Sequence, residues 1–200
     1  MDFNQIRYLK VTLIGIIVLA IAYISVCFEV VRIQSNSMLP TFREGEFIKL
    51  SRVIFPRTQF LRGQIVKFDT PSKPNVLKRV IAIAGDIVMV SGKDTYLNKK
   101  SIGHFEVIER HLISHGEYDQ DGYPLSVYYS ELDNGRFNIA LTGVVPEYEE
   151  NYFIQPNMPP GQWFIPEGYV FVMGDNRDFS YDSRYFGLVS TNTIDAYSKL

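Results

Sequence analysis

Between Val11 and Phe28 the chain carries no charged residue: VTLIGIIVLAIAYISVCF. Eighteen uncharged and mostly apolar residues reach the length of a membrane-spanning helix, which needs roughly 20. Inside lipid the backbone must satisfy its own hydrogen bonds, so such a span has to be helical. Tyr23 and Phe28 lie toward its far end, where aromatic side chains often mark an interface. A cleaved leader is the competing reading. Ala20-Ile21-Ala22 fits a small-x-small cleavage site, and Arg7 with Lys10 fits a basic flank. Apolar residues continue well past that site, which favours a retained anchor over residues 11–31, after a flank of residues 1–10. Arg7 and Lys10 precede the run, but Arg32, Arg43 and Lys49 come after it, so charge alone leaves the orientation open.

Beyond the run the chain is long enough to bury a core of its own. The pattern there is that of strands. Glu46 to Leu50 alternates polar and apolar, Gln64 to Phe68 reads as another strand, and Asn75 to Ala84 is an apolar segment interrupted by Lys78-Arg79. Gly85-Asp86 marks a turn before Ile87–Val90, and Tyr96-Leu97-Asn98 reads as a short hairpin return. The 13 Tyr and 14 Phe push the same way. Residues 104–160 differ in texture, and Asn134-Gly135 between two alternating segments is the strongest hairpin signal in the chain. The expected fold is mainly β: an antiparallel catalytic domain over 32–103 and 161–200, with an inserted β subdomain or excursion over 104–160. After the strand Tyr169–Met173 comes a dense polar block from Gly174 to Arg184, a typical place for a site.

Several chemistries fail on the residues present. Twenty basic against 22 acidic residues leave no electrostatic footprint for nucleic acid. The single cysteine, Cys27, permits no intrachain disulfide. His111 and His115 have zinc-motif spacing, but Leu112 stands where the motif needs glutamate, so surface polar residues are the plainer reading. Asp175, Asp178 and Asp182 miss the calcium-loop pattern, because Arg177 and Phe179 occupy alternate positions. A Ser-His-Asp triad stays open, since its order varies between folds, though all three histidines lie in the least motif-like third of the chain.

A serine can also be activated by a lysine. A free ammonium, with pKa about 10.4, cannot take a serine proton near neutrality. Burial disfavours the charged form and can lower that pKa by up to about 3–5 units. Lys78, flanked by Val76, Leu77, Val80 and Ile81, is the lysine best placed for it. The alternative is an edge strand with Lys78 pointing outward and Arg79 on the other face, since exposed lysines are the rule.

Three segments in order resemble the boxes of the type I signal peptidases. They are Ser37-Met38-Leu39-Pro40-Thr41, Lys78-Arg79 with Gly85-Asp86, and the block Gly174-Asp175-Asn176-Arg177-Asp178 through Ser180, Asp182, Ser183 and Arg184. The match takes in about residues 30–100 and 162–197. The resemblance implies a membrane-bound serine endopeptidase that removes signal peptides from exported preproteins after small residues. Ser37 would be the nucleophile and Lys78 the general base. Ser35 would assist the oxyanion, and Ser180 would hold the Lys78 amine. Asp175, Asp182 and Arg184 would brace the site, with a plain structural ion-pair network as their simpler reading. Val31, Ile33 and Leu77 would line shallow apolar subsites. No metal or organic cofactor is implied. The implied setting is the bacterial cytoplasmic membrane, with the domain on the extracytoplasmic side, in contact with lipid and possible export machinery. Four residues depart from the family pattern: Asn36 and Lys99 where glycine is usual, Phe179 where asparagine is, and Gln64 where an acid is. None removes a catalytic group. They leave two further readings: a peptidase dedicated to a pilin or conjugation component, or an idle anchored β domain that binds exported chains.

Overall fold

The computed structural model describes residues 2–55, 59–103, 107–113, 123–133, 135–142, 145 and 148–198. Helix α1 (Phe3–Cys27) contains the apolar run. Its segment Lys10–Cys27 has mean hydropathy 2.3 and none of it is buried against the rest of the chain, so by length and composition it could cross a membrane. The helix stops short of residue 31. The β-branched pair Val30-Val31 joins a strand instead, β1 (Phe28–Arg32). The end of the helix and the edge of the sheet are therefore covalently adjacent.

The next strands are β2 (Phe47–Arg52), β3 (Ile65–Phe68), β4 (Val76–Ala82), β5 (Ile87–Ser91), β6 (Asp94–Leu97) and β7 (Lys100–Ser101). Then come β8 (Val107–Ile113), β9 (Tyr123–Leu132), β10 (Gly135–Leu141), β11 (Gln162–Phe164) and β12 (Tyr169–Met173). A one-turn helix α2 (Ser183–Phe186) precedes β13 (Val189–Ser190) and β14 (Ile194–Tyr197). They form three sheets with the orders β1-β2-β14-β3-β4-β12-β13, β11-β5-β6-β7 and β10-β9-β8. The strand pairings are antiparallel; a single parallel bridge joins Ala140 to Asn176. The mainly β, antiparallel expectation holds.

β4 is buried at every residue. It lies between β3 and β12, and core clusters pack on both its faces. Ile81 and Ala82 join Trp163, Phe171 and Met173 on one side, while Val76 and Val80 join Phe68, Val170 and Val172 on the other. This overturns the edge-strand alternative for Lys78. A third cluster gathers Ile33, Met38, Leu50, Ile65, Leu77 and Ala196, with Val31 packed against it.

The expected hairpin in the inserted region forms, shifted by one position. Leu132 pairs with Gly135, so Gly135 is already in a strand, and Asp133 takes the positive φ of 50° that a tight turn needs. Asn134 lies outside the described residues, as do His104 and His115. Strand β10 touches the polar block directly. Ala140 N–H donates to the Asp175 carbonyl at 2.8 Å, and Arg177 N–H donates to the Ala140 carbonyl at 3.0 Å.

Candidate active site

Ser37 sits in a single 3-10 turn, Asn36–Met38, between extended residues Ser35 and Leu39. Met38 and Leu39 are buried and anchor the turn, while Ser35 and Ser37 are half-buried beside them. Asn36, one of the departures from the family pattern, has a local use: its side-chain oxygen accepts the Glu44 N–H at 3.1 Å. The turn is also held from the polar block. Asn176 donates its backbone N–H to the Ser37 carbonyl and its side-chain amide to the Asn36 carbonyl, each at 3.1 Å.

The Lys78 Nζ reaches this turn from β4 and donates to the Ser37 Oγ at 2.8 Å. The Ser35 hydroxyl donates to the same oxygen at 3.3 Å. Burial pushes the Lys78 amine down from its ordinary value to about 8, against the pull of the Asp182 and Asp175 charges. Those carboxylates do not touch the lysine because each is already held by an arginine. Arg79 grips Asp175 with two hydrogen bonds of 2.8 and 2.6 Å, and Thr41 Oγ1 donates to the same carboxylate. Arg184 grips Asp182 at 2.9 and 3.0 Å. Burial works to raise the Asp182 pKa, but the Arg184 charge and hydrogen bonds, with the Gly174 N–H, outweigh it and hold the carboxyl below its ordinary value.

Gly174 lies where the two halves of the site meet. A Cβ there would stand 2.2 Å from the Ser180 Oγ and 2.5 Å from the Ser37 carbonyl oxygen, so no side chain fits. The Ser180 hydroxyl is thus packed beside the Ser37 turn. It has no hydrogen-bond partner among the described residues, and the bond to Lys78 implied by the resemblance is not made in this conformation.

The predicted residues Ser35, Ser37, Lys78, Asp175, Ser180, Asp182 and Arg184 thus converge on one locus. Ile33 and Leu77 share one apolar cluster with Val31 against it. Three contributors were missed: Arg79, Thr41 and Asn176. A signal existed for Arg79, since an arginine inside a segment apolar on both faces must bring a carboxylate with it. For Asn176 no local pattern announces a bond to residues 140 positions away. Gly85-Asp86 proves to be a brace at a distance: Asp86 accepts Arg62 at 2.8 and 2.7 Å, and Arg62 also binds Asp133 of the hairpin at 2.9 Å. Among the described residues no cluster of three or more His, Cys, Asp or Glu could hold a metal.

A serine hydroxyl facing a buried lysine amine, on an antiparallel β domain, is the arrangement that a serine peptidase with lysine in place of histidine would need. The chain belongs to the signal peptidase family, peptidase S26, whose model matches residues 5–200. Signal peptidase I of Buchnera aphidicola subsp. Acyrthosiphon pisum is 29% identical over 208 residues, taking in 85% of this chain and 66% of that protein. Signal peptidase I of Aquifex aeolicus is 28% identical over 205 residues, 90% of this chain and 78% of that protein. This chain therefore spans a little under two thirds of the first relative and over three quarters of the second. A crystal structure of a signal peptidase I from Enterococcus faecalis covers 70% of this chain and 97% of its own, at TM-score 0.38 and 22% identity. At that score the strand pairing described above, and not the likeness, carries the fold.

Proposed function

We propose that the chain is a membrane-anchored serine endopeptidase that removes N-terminal signal peptides from exported preproteins, cutting after small residues. The observation that carries this reading is the 2.8 Å contact between Ser37 Oγ and a Lys78 amine whose pKa is lowered to about 8. An ordinary lysine would be almost wholly ammonium at neutrality, whereas this one has an appreciable neutral fraction.

In the neutral form the hydrogen bond reverses, and Ser37 O–H donates to Nζ. The Ser37 oxygen attacks the scissile carbonyl carbon as Nζ takes its proton. The carbonyl π pair moves to oxygen, where the Ser37 N–H and the Ser35 hydroxyl are the assigned donors. The first turn of a helix leaves its N–H groups without an intrahelical acceptor, which suits the Ser37 N–H to this role. The C–N bond then breaks, and the Lys78 ammonium gives its proton to the departing amine of the mature protein. Water next loses a proton to Lys78 and attacks the ester on Ser37. The signal peptide leaves as a carboxylic acid, and the proton returns to Ser37. Ser180 is assigned to hold the amine between these steps, and its hydroxyl has no competing partner among the described residues. The surface over Val31, Ile33 and Leu77 is apolar and largely closed by the core beneath it, which supports small side chains flanking the cut. No step calls for a metal or organic cofactor.

With α1 in a bacterial cytoplasmic membrane and the domain on its extracytoplasmic side, enzyme and substrate would meet in two dimensions at a shared depth, a gain in effective concentration. The test is cleavage of a preprotein by the full chain in vesicles, with N-terminal sequencing of the product. Wild type is expected to cut after a small residue, and Ser37→Ala is expected to cut nothing. Full activity in Ser37→Ala would end the reading.

A further inference from the structure

Away from Ser37, the structure contains a cavity of about 660 Å³ where β1 leaves the apolar helix. Its lining includes Glu29, Arg52, Lys67, Thr191 and Asp195, with Ile54 and Phe55 at the rim. None of these residues takes part in the proposed cleavage. Lys67 projects from β3 and Glu29 from β1, strands that are not neighbours in the sheet, yet their charged ends meet at 2.9 Å. The sheet is therefore curled, and the cavity lies where it curls. Its charges balance: two carboxylates, Glu29 and Asp195, face two cations, Arg52 and Lys67. Arg52 and Asp195 keep about half of their side chains exposed, 49% and 57%. The Thr191 Oγ1 is buried and has no hydrogen-bond partner among the described residues. An orphaned hydroxyl of this kind is costly unless a ligand or water satisfies it.

The depth of the cavity is set by connectivity. Glu29 is two residues beyond Cys27, the last residue of α1, or about 7 Å at the rise of a strand. Arg52 is held to the same junction through its Nε–H, which donates to the Phe28 carbonyl at 3.3 Å. If α1 spans the hydrocarbon layer, this is the depth of the polar headgroups. Ile54 and Phe55 are 48% and 79% exposed, apolar surface suited to the boundary beneath.

We infer that the cavity is a binding site for a bilayer phospholipid whose headgroup carries both a phosphodiester and a primary ammonium. The guanidinium of Arg52, with Lys67 and the Thr191 hydroxyl behind it, takes the phosphate oxygens. Asp195 and Glu29 accept from the ammonium. A lining with no net charge gives a purely anionic headgroup no such pairing, because the two carboxylates repel it. The site would fix the depth and tilt of the catalytic domain. This inference rests on the membrane-anchored reading.

The experiment uses the full chain in nanodiscs of phosphatidylethanolamine, phosphatidylcholine and phosphatidylglycerol in equal parts, released for native mass spectrometry. Wild type is expected to retain one phosphatidylethanolamine, and Arg52→Ala and Asp195→Asn each to lose that retention at least tenfold. Both side chains are half exposed, so neither change threatens the fold, and peptide cleavage in lipid-free detergent is expected to stay within twofold of wild type. Equal retention of the three lipids, or equal retention by wild type and variants, overturns the site. Micromolar binding of glycerophosphoethanolamine or inorganic phosphate to the chain in lipid-free detergent overturns it too, by assigning the cavity to soluble phosphates. A raised KM for a soluble peptide in the variants overturns it in favour of a substrate subsite. Flotation with vesicles separates the premise from the inference: wild type that fails to float removes the anchor, whereas wild type that floats but keeps no lipid removes only the site.

Discussion

The β3–β4 pair buries two lysines, Lys67 at 8% and Lys78 at 4% exposure. The residues are close: Lys67 pairs across the strands with Leu77, and Val66 with Lys78. Their surroundings differ in one respect. Lys67 ends 2.9 Å from the Glu29 carboxylate, with Asn75 and Asp195 beyond. Lys78 ends on a serine hydroxyl. Carboxylates stand near Lys78 as well, but Arg79 holds Asp175 and Arg184 holds Asp182, each by two hydrogen bonds. Burial alone, then, does not decide what a lysine amine faces. A buried ammonium beside a free carboxylate forms an ion pair, and the arginines keep that from happening around Lys78.

The sharpest way to break this comparison is to remove each lysine in turn. Lys78→Met keeps the volume and removes the amine, and cleavage is expected to fall by about 10²–10⁴-fold, with the circular dichroism spectrum unchanged. Lys67→Met is expected to leave kcat/KM within a few-fold. Comparable losses from both would mean that the contrast has no catalytic content.

The arginine brackets come next. Asp182→Asn leaves the Arg184 guanidinium buried without its counter-charge, in a site where both side chains are at most 2% exposed. A broken buried pair costs about 3–5 kcal/mol. At about 2–4 °C per kcal/mol for a domain of this size, calorimetry is expected to show Tm lowered by roughly 6–20 °C. An unchanged Tm would show that the bracket is dispensable.

Much of this site can be read from the chain, and the reasons are local. An uncharged run long enough to span a membrane, a lysine inside an apolar strand and a polar block after a buried strand are all signals within a window of a few residues. Pairing at long range stays hidden. That β14 inserts between β2 and β3 is a matter of register, and no periodicity encodes it. The grip of Asn176 on residues 36 and 37 spans most of the chain, and the seat of β10 on Asp175 is a backbone contact that no side-chain pattern announces. Ser180 is the reverse case. Its position beside Gly174 agrees with the pattern, while the expected hydrogen bond to the amine is not made.

The pH profile is a milder test of the two lysines. Burial disfavours the Lys78 ammonium, and its pKa falls to about 8. The base role proposed for Lys78 requires a neutral amine, so kcat/KM is expected to rise with pH and level off above about 8. Stability moves in the same direction. Between about pH 8 and 10.5 the unfolded chain binds a proton at this lysine that the folded chain has released, so stability rises with pH across that window. Lys78→Met is expected to lose this rise. A profile already flat from pH 6 would place the working pKa elsewhere.

A third lysine sharpens the contrast because burial does not explain its conformation. Lys99 is exposed, in the two-residue turn between β6 and β7, and its φ is +70°, next to Asn98 at +51°. Asparagine tolerates that left-handed backbone, but a lysine's Cβ meets the following carbonyl at a cost of roughly 1–2 kcal/mol. The family pattern has glycine here, which bears no such penalty in the folded state but loses more freedom on folding. The two effects oppose each other, and the steric one is the larger. Lys99→Gly is therefore expected to stabilise the protein by about 0.5–1 kcal/mol, a rise in Tm of a few degrees, with cleavage unchanged. A drop in Tm would show that the Lys99 side chain contributes packing or charge outweighing its backbone strain, and that even this exposed lysine is placed by its contacts.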